Sequence, residues 1–313
     1  LPVIRDFDNR TYIKEDAGKI LVGIFEGSSI PAWNKTNKVP EDFSFGEFQE
    51  NFEHFEPYLA SAIKRFPILE TSGIRKFFSG PESFTPDTNT LLGEVPEIKN
   101  FFVCCGLNSI GIGSGGGVGK ATAEWMITGH INEDIFNYDI KRFQNFHSKL
   151  NFIKNRITES LGDLYGMHWP FKQHKTSRNI KTLPHHDSLK SFGACFGVSG
   201  GYERPMWFAL DGEKAEYEYS YNYQNWYPSA EYETNNTVKN VGLFDLTPFS
   251  KFEIKSNKAH HELQKICTSN IKNEPGKCIY THMLNSDGGI EADLTVVCID
   301  KNHFRIISSA ATR

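Results

Sequence analysis

The chain lacks the marks of several large classes. Its six cysteines (104, 105, 195, 267, 278 and 298) contain no CxxC pair, so neither a zinc knuckle nor a thioredoxin-like redox pair is written into it. No apolar run reaches the roughly 18 residues that a membrane-crossing helix needs. Basic residues are not in excess: 34 Lys and Arg stand against 38 Asp and Glu, scattered rather than striped, which argues against nucleic acid or an anionic membrane as partner. GxxxxGK[ST] is missing, and no acidic residue ends a following strand at dinucleotide spacing, so kinase-like and simple NAD-type readings lose ground. Without GxSxG, serine-hydrolase chemistry has no elbow to sit on. There is no initiating Met and no leader-like segment, and the chain ends directly after a strand-like run, which predicts an internal piece of a longer protein.

What is present is a glycine-rich centre. Residues 101–105 (FFVCC) form a continuous apolar run of strand length, which suits a central strand covered on both faces in a mostly parallel sheet. The adjacent Cys104 and Cys105 then point to opposite faces as reduced, structural thiols. Seven glycines lie between Gly106 and Gly119, Val118, Ala121, Trp125 and Met126 share a helical stripe, and Gly129 stands where a helix stops. The segment predicts strand, glycine-rich turn and helix. Glycines let a backbone pass close to a ligand, and the N–H groups of a first helical turn favour negative charge. A flavin or a phosphate suits such a turn; tight packing is the alternative.

Elsewhere, β-rich runs at 11–14 and 19–25 around Asp16-Ala17-Gly18 predict a hairpin. Phe48, Phe52, Phe55, Leu59 and Ile63 step by three and four, predicting a helix over 46–66 with a core-facing stripe and Pro57 as a kink or break. Residues 74–95 read as turns. Phe143, Phe146, Leu150, Ile153 and Ile157 predict a connector helix over 139–160. Beyond a boundary near 180 the chain reads as a second, α+β domain: short strands at 243–246 and 252–254, a helix over 258–267 with Leu263 and Ile266 inward, and a hairpin pairing 294–299 with 304–308 across Asp300-Lys301-Asn302.

Three further features bear on chemistry. Gly288-Gly289 opens a strand on which period two sets Glu291 and Asp293 side by side, a place for a carboxylate to hold or deprotonate an amine or simply to face solvent. His185-His186 on a strand diverge and have no partner at ligand spacing, so no metal is expected. Asn235-Asn236-Thr237 matches a glycosylation sequon, a pattern common by chance.

Several motifs in order resemble the dimethylglycine dehydrogenase and sarcosine dehydrogenase family. They are Gly80-Pro81-Glu82-Ser83-Phe84-Thr85-Pro86-Asp87, the 101–117 segment with Ala123-Glu124-Trp125, Asp139-Ile140-Lys141-Arg142-Phe143, Gly201-Tyr202-Glu203-Arg204-Pro205-Met206-Trp207-Phe208, Phe249-Ser250-Lys251-Phe252-Glu253, Tyr280-Thr281-His282-Met283-Leu284-Asn285 and 288–296. From about Leu183 onward the chain is also similar to the aminomethyltransferase of the glycine cleavage system.

The resemblance implies an α/β plus α+β architecture. Residues 1–128 correspond to the C-terminal part of a glutathione-reductase-like FAD and substrate domain, 129–182 to a central connector, and 183–313 to the start of an aminomethyltransferase-like folate-binding domain. It implies an FAD-dependent enzyme that oxidatively demethylates sarcosine, dimethylglycine or a relative. The one-carbon unit passes to tetrahydrofolate, and a separate electron acceptor reoxidises the flavin. FAD would be met by Gly106, Asn108, Ser109, Gly111, Gly113, Ser114, Gly115, Gly116 and Gly117, with a helix N-terminus at 115–120 stabilising charge on the reduced ring. Tyr12 and Glu82 would face substrate or flavin. Ala292, Asp293 and Leu294 would meet folate, with Asp293 as the base. Gly113 replaces the substrate-binding Lys of the related monomeric sarcosine oxidases, and Gly80 replaces their flavin-tethering Cys. A bacterial source implies the cytoplasm and a eukaryotic one the mitochondrial matrix. The regulatory subunit of pyruvate dehydrogenase phosphatase shares this architecture, so a non-catalytic regulator is the competing reading, and a folate-dependent methyltransferase a third.

Overall fold

Ala17 (φ +50°) and Gly18 (φ +74°) place two left-handed residues in succession, the requirement of the tight turn that matches strand twist. They join β2 (Thr11–Asp16) to β3 (Lys19–Ile24), and β1 (Ile4–Asp6) completes a three-stranded antiparallel sheet in the order β1-β2-β3. The computed structural model describes residues 2–312. Its contacts divide the chain into two units, Leu1–Arg178 and Asn179–Arg313.

The first unit departs from expectation in three places. Helix α1 runs Phe52–Arg65 rather than from 46, because the Asn51 side chain caps it by accepting from the His54 amide at 3.0 Å. Phe48 lies outside it, Phe52 is 45% exposed, and Ala62 is the residue fully buried, so the stripe is only partly core. Residues 91–94, read as turn, form strand β4 (Leu91–Glu94), which pairs antiparallel with β5 (Phe102–Cys105) in a two-stranded sheet. Strand β5 is therefore not the covered centre of a parallel sheet, and Cys104 and Cys105 are exposed. Its apolar character follows from lateral packing: Phe102 meets Trp125 edge to face at 6.1 Å.

Helix α2 spans Gly111–Thr128 and stops at Gly129, which adopts φ +83° as a C-terminal glycine does. The glycines expected in the turn from 111 onward are helical, and the N-terminus lies at Gly111 rather than at 115–120. Trp125 is buried against Gly93 of β4, where an added Cβ would stand 2.1 Å from the indole. Met126, placed on the inward stripe by periodicity, is 58% exposed. The expected connector helix is shorter. Residues 133–148 carry three short 3₁₀ segments, and α3 runs Leu150–Tyr165.

In the second unit, α4 (His186–Ser191) carries the histidine pair at its start, where a strand was expected. Strands β6 (Ala194–Ser199) and β7 (Tyr202–Phe208) form a hairpin over two left-handed glycines, followed by α5 (Tyr227–Lys239). Residues 243–246 form no strand, and Leu243, Phe244 and Leu246 are exposed. Strands β8 (Ser250–Lys255), β9 (Cys278–Leu284), β10 (Ile290–Asp300) and β11 (His303–Ser308) then build an antiparallel sheet in the order β8-β11-β10-β9. One face carries Leu294, Val296, Cys298, Phe304 and Ile306, which close with Ala259 and Leu263 of α6 (Ala259–Ile266) into the core. Leu263 points inward as expected, whereas Ile266 is 51% exposed.

Candidate functional site

In the first unit the chain leaves β5 through Gly106 (φ +64°), Asn108 (φ +48°) and Ser109 (φ +66°). Gly106 is required twice over, since its φ is left-handed and a Cβ would stand 2.6 Å from the Thr85 methyl group. Asn108, 1% exposed, locks the turn: its Oδ1 accepts from the Thr85 amide at 2.8 Å, and its Nδ2 donates to the Gly106 carbonyl at 2.7 Å. That bonding explains how a non-glycine residue holds positive φ there. The Thr85 hydroxyl donates onward to Asn89 O at 2.8 Å. Arg142 then clasps the segment, with Nε and Nη2 on the two Asp87 oxygens at 2.6 and 3.0 Å, Nη2 also on Asn89 O, and Nη1 on Tyr138 O. This fork is the bidentate geometry that a lysine cannot reproduce.

Ser109 donates to Glu82 at 3.0 Å. Burial first, and the Glu82 charge second, push the Tyr12 hydroxyl above its ordinary range, so it stays a neutral donor. Glu82 and Ser109 thus meet beside the glycine turn, while the Tyr12 ring packs over Gly23 and against Phe25. Ser114 does not join them, because its hydroxyl is folded back onto the Ile110 carbonyl at 2.9 Å.

Helix α2 has no side-chain cap at its N-terminus. Gly113, Gly115, Gly116, Gly117 and Gly119 have nothing within 4 Å of where a Cβ would stand, whereas a Cβ on Gly111 would meet Leu107 at 2.9 Å. Gly116 is nine residues before Trp125, half a revolution of the helix away, so it faces directly opposite the packed side. An uncapped helix start and an open glycine surface are a cradle that a planar ring system fits.

The second unit presents the sheet face opposite α6. Asp293 stands there, exposed, directly across from His282. The Tyr280 hydroxyl lies 3.4 Å from Asp293 Oδ2 and 3.5 Å from His282 Nε2. The expected pairing of Glu291 with Asp293 does not hold. A bulge between Ile290 and Ala292 makes Glu291 the extra residue, and its carboxylate accepts from Asn285 Nδ2 at 3.1 Å. Leu294 turns the opposite way, 4% exposed in the α6 core, and Ala292 packs against that core, so neither side chain shares the Asp293 face. At the far end of the sheet Glu253 is paired with His303 and Arg305, and these bonds hold its carboxyl below the ordinary range.

Sequence reasoning did not single out Arg142, His282 or a cluster on α3. There Glu159 and Asp163, one helical turn apart, sit with His174 so that their ligand atoms lie within 4.8 Å of one another. Protein donors already engage these carboxylates. Lys172 and His174 take Asp163, while the Lys175 and Thr176 amides and the Thr176 hydroxyl take Glu159. The cluster latches residues 172–176 onto the helix. The i,i+4 spacing of the two acids was the available signal.

Three family models match in sequence. FAD dependent oxidoreductase covers residues 1–125, FAD dependent oxidoreductase central domain 128–182, and GCVT N-terminal domain 185–313. The chain is 40% identical over its whole length to 4-methylaminobutanoate oxidase (formaldehyde-forming) of Paenarthrobacter nicotinovorans, spanning 38% of that protein. It is 34% identical over 98% of its length to the mitochondrial pyruvate dehydrogenase phosphatase regulatory subunit of Mus musculus, spanning 35% of it. With human mitochondrial sarcosine dehydrogenase the figures are 33% over 97%, spanning 35%. The chain therefore spans little more than a third of the length of each of these three relatives. Among the described residues no helix is long and apolar enough to cross a membrane.

Proposed function

We infer, from a chain that carries the combined architecture of an FAD dependent oxidoreductase, its central domain and a GCVT N-terminal domain, that it is part of a flavoenzyme that demethylates an N-methyl amino acid and hands the carbon to tetrahydrofolate. The observation that carries this reading is the unbroken succession of the three matches along the chain. FAD, when bound, supplies the hydride acceptor. The residues present fit it: the glycine surface of α2 leaves room for a ring, and the uncapped helix start favours negative charge near it. Tyr12, held neutral, is placed to donate to substrate or flavin, with Glu82 and Ser109 orienting the turn beside it. Substrates are sarcosine, dimethylglycine or a longer N-methyl amino acid, the last suggested by the relative that acts on 4-methylaminobutanoate.

Loss of hydride from the N-methyl group leaves an iminium. Capture by folate forms two C–N bonds and releases the demethylated amine. One of the two displaced N–H protons leaves with that amine, and the Asp293 carboxylate takes the other. The exposed position of Asp293 on an open sheet face supports this role. The test uses the full-length protein and follows amine-dependent bleaching of the flavin together with methylenetetrahydrofolate formation. Asp293→Asn is expected to abolish folate product while flavin reduction continues, and equal loss of both would overturn the two-site reading. The relative named as a phosphatase regulatory subunit supports a second reading, a non-catalytic regulator. Full-length protein without flavin absorbance and without amine turnover would favour that reading instead.

A further inference from the structure

We propose that His282 is a positioning residue for the Asp293 carboxylate, acting through the Tyr280 hydroxyl; this rests on the folate-site reading of Asp293 above. The three side chains share one face because Asp293 is opposite His282 in the β9–β10 register, and Tyr280 precedes His282 by two on the same strand. The Tyr280 hydroxyl lies between the other two, 3.5 Å from the imidazole Nε2 and 3.4 Å from Asp293 Oδ2, and the Tyr280 and His282 rings meet edge to face at 5.2 Å. These contacts are longer than an ideal O–H···O bond, and catalytic hydrogen bonds commonly tighten only in the complex with substrate.

The direction of bonding follows from the chemistry of the groups. An ionised Asp293 only accepts, so the phenol must donate to it, and the phenol oxygen then accepts from an Nε2–H of His282. His282 is itself held: its amide donates to the Thr268 hydroxyl at 3.3 Å, and its carbonyl accepts from the Thr268 amide at 3.0 Å. A backbone anchored to Thr268 sets where the imidazole meets the phenol, and the phenol settles which carboxylate oxygen stays open to the folate amine. Where the carboxylate is misaligned, the iminium is hydrolysed instead: water adds, and formaldehyde and the demethylated amine leave.

The readout is therefore the partition of the one-carbon unit between methylenetetrahydrofolate and free formaldehyde in the full-length protein at saturating tetrahydrofolate. His282→Ala is expected to lower the folate share about fivefold to tenfold, a part of the roughly 10²–10⁴-fold that a general base contributes when fully aligned, with formaldehyde rising to match. Tetrahydrofolate affinity, measured by fluorescence quenching, changes less than about twofold. His282→Gln, which offers an N–H near the same place, recovers most of the folate share. Tyr280→Phe makes His282→Ala silent, because the path through the hydroxyl is already cut. An unchanged partition in His282→Ala, no recovery in His282→Gln, or the same loss from His282→Ala in the Tyr280→Phe background each overturns the proposal. Should Asp293→Asn also leave the partition unchanged, it is the folate-site reading itself that fails.

Discussion

The glycine surface of α2 makes a quantitative prediction. Five glycines of this helix have no atom within 4 Å of a Cβ position, yet each weakens a helix by about 1 kcal/mol relative to alanine. Together they forgo several kcal/mol, a large share of the ~5–15 kcal/mol that holds a typical protein folded. Selection for helix stability alone would have filled them. Gly116→Ala isolates the effect, because position 116 faces directly away from Trp125. With the flavin removed, the full-length variant should be more stable by about 0.5–1 kcal/mol in urea titration, since the Cβ enters open space. With flavin bound, that Cβ crowds the ring, and overpacking costs about 1–3 kcal/mol. Flavin affinity should therefore fall about 5-fold to 150-fold at ~1.4 kcal/mol per decade. The assay is paired urea unfolding of flavin-free and flavin-loaded protein, with flavin content read from the visible spectrum. The reasoning is refuted if alanine destabilises the flavin-free form, or stabilises both forms equally.

Further expectations concern the first unit. Gly93→Ala combines a left-handed φ of +109° with a Cβ placed 2.1 Å from the Trp125 ring, and should cost at least about 2 kcal/mol in unfolding free energy. A wild-type melting temperature would show that β4 shifts freely. Arg142→Ala removes the fork from Asp87 and should cost about 3 kcal/mol, while Arg142→Lys restores less than half, because an ammonium cannot span both oxygens; full rescue by lysine in denaturant titration would contradict the bidentate account. Burial alone would raise the Glu159 and Asp163 carboxyls, but the surrounding bonds outweigh it and hold both below their ordinary range. A lowered carboxyl stabilises the fold above its unfolded value, about 4, and that contribution drains away as pH falls through the folded value. Glu159→Gln and Asp163→Asn should therefore flatten the loss of stability below about pH 4.5, and an acid limb identical to wild type would remove the latch from the account.

Local signals were legible where one face and one turn decided the outcome. The apolar run at 294–299, the turn at Asp300-Lys301-Asn302 and the run at 304–308 give β10 and β11, and Asp16-Ala17-Gly18 gives the β2–β3 turn. Glycine misled at 111–119, because propensity is a weak prior beside a satisfied i→i−4 ladder, so residues read as loop became helix. The run at 101–105 has the composition of a covered strand, but its pairing with β4 alone leaves the cysteines exposed, a fact of topology that composition does not carry. Leu243 to Leu246 has strand composition and no partner strand. Asp293, proposed to meet folate, was singled out from its motif. The bulge that displaces Glu291 was invisible to a period-two count, and His282 acquires meaning only from the register that brings it opposite Asp293.

The two-stranded β4–β5 ribbon has a consequence for handling the protein. Among the described residues strand β5 is bonded along one edge only, by β4, with Phe101, Cys104 and Cys105 exposed beside it. Such an edge is a template for any extended segment that reaches it first. In dilute refolding that segment comes from the same molecule; in a crowded expression host it comes from the next one. For this chain expressed by itself, the yield of soluble material should thus fall with concentration more steeply than stability alone dictates, and Cys104→Lys, which charges the edge without touching the helix cradle, is the substitution to relieve it.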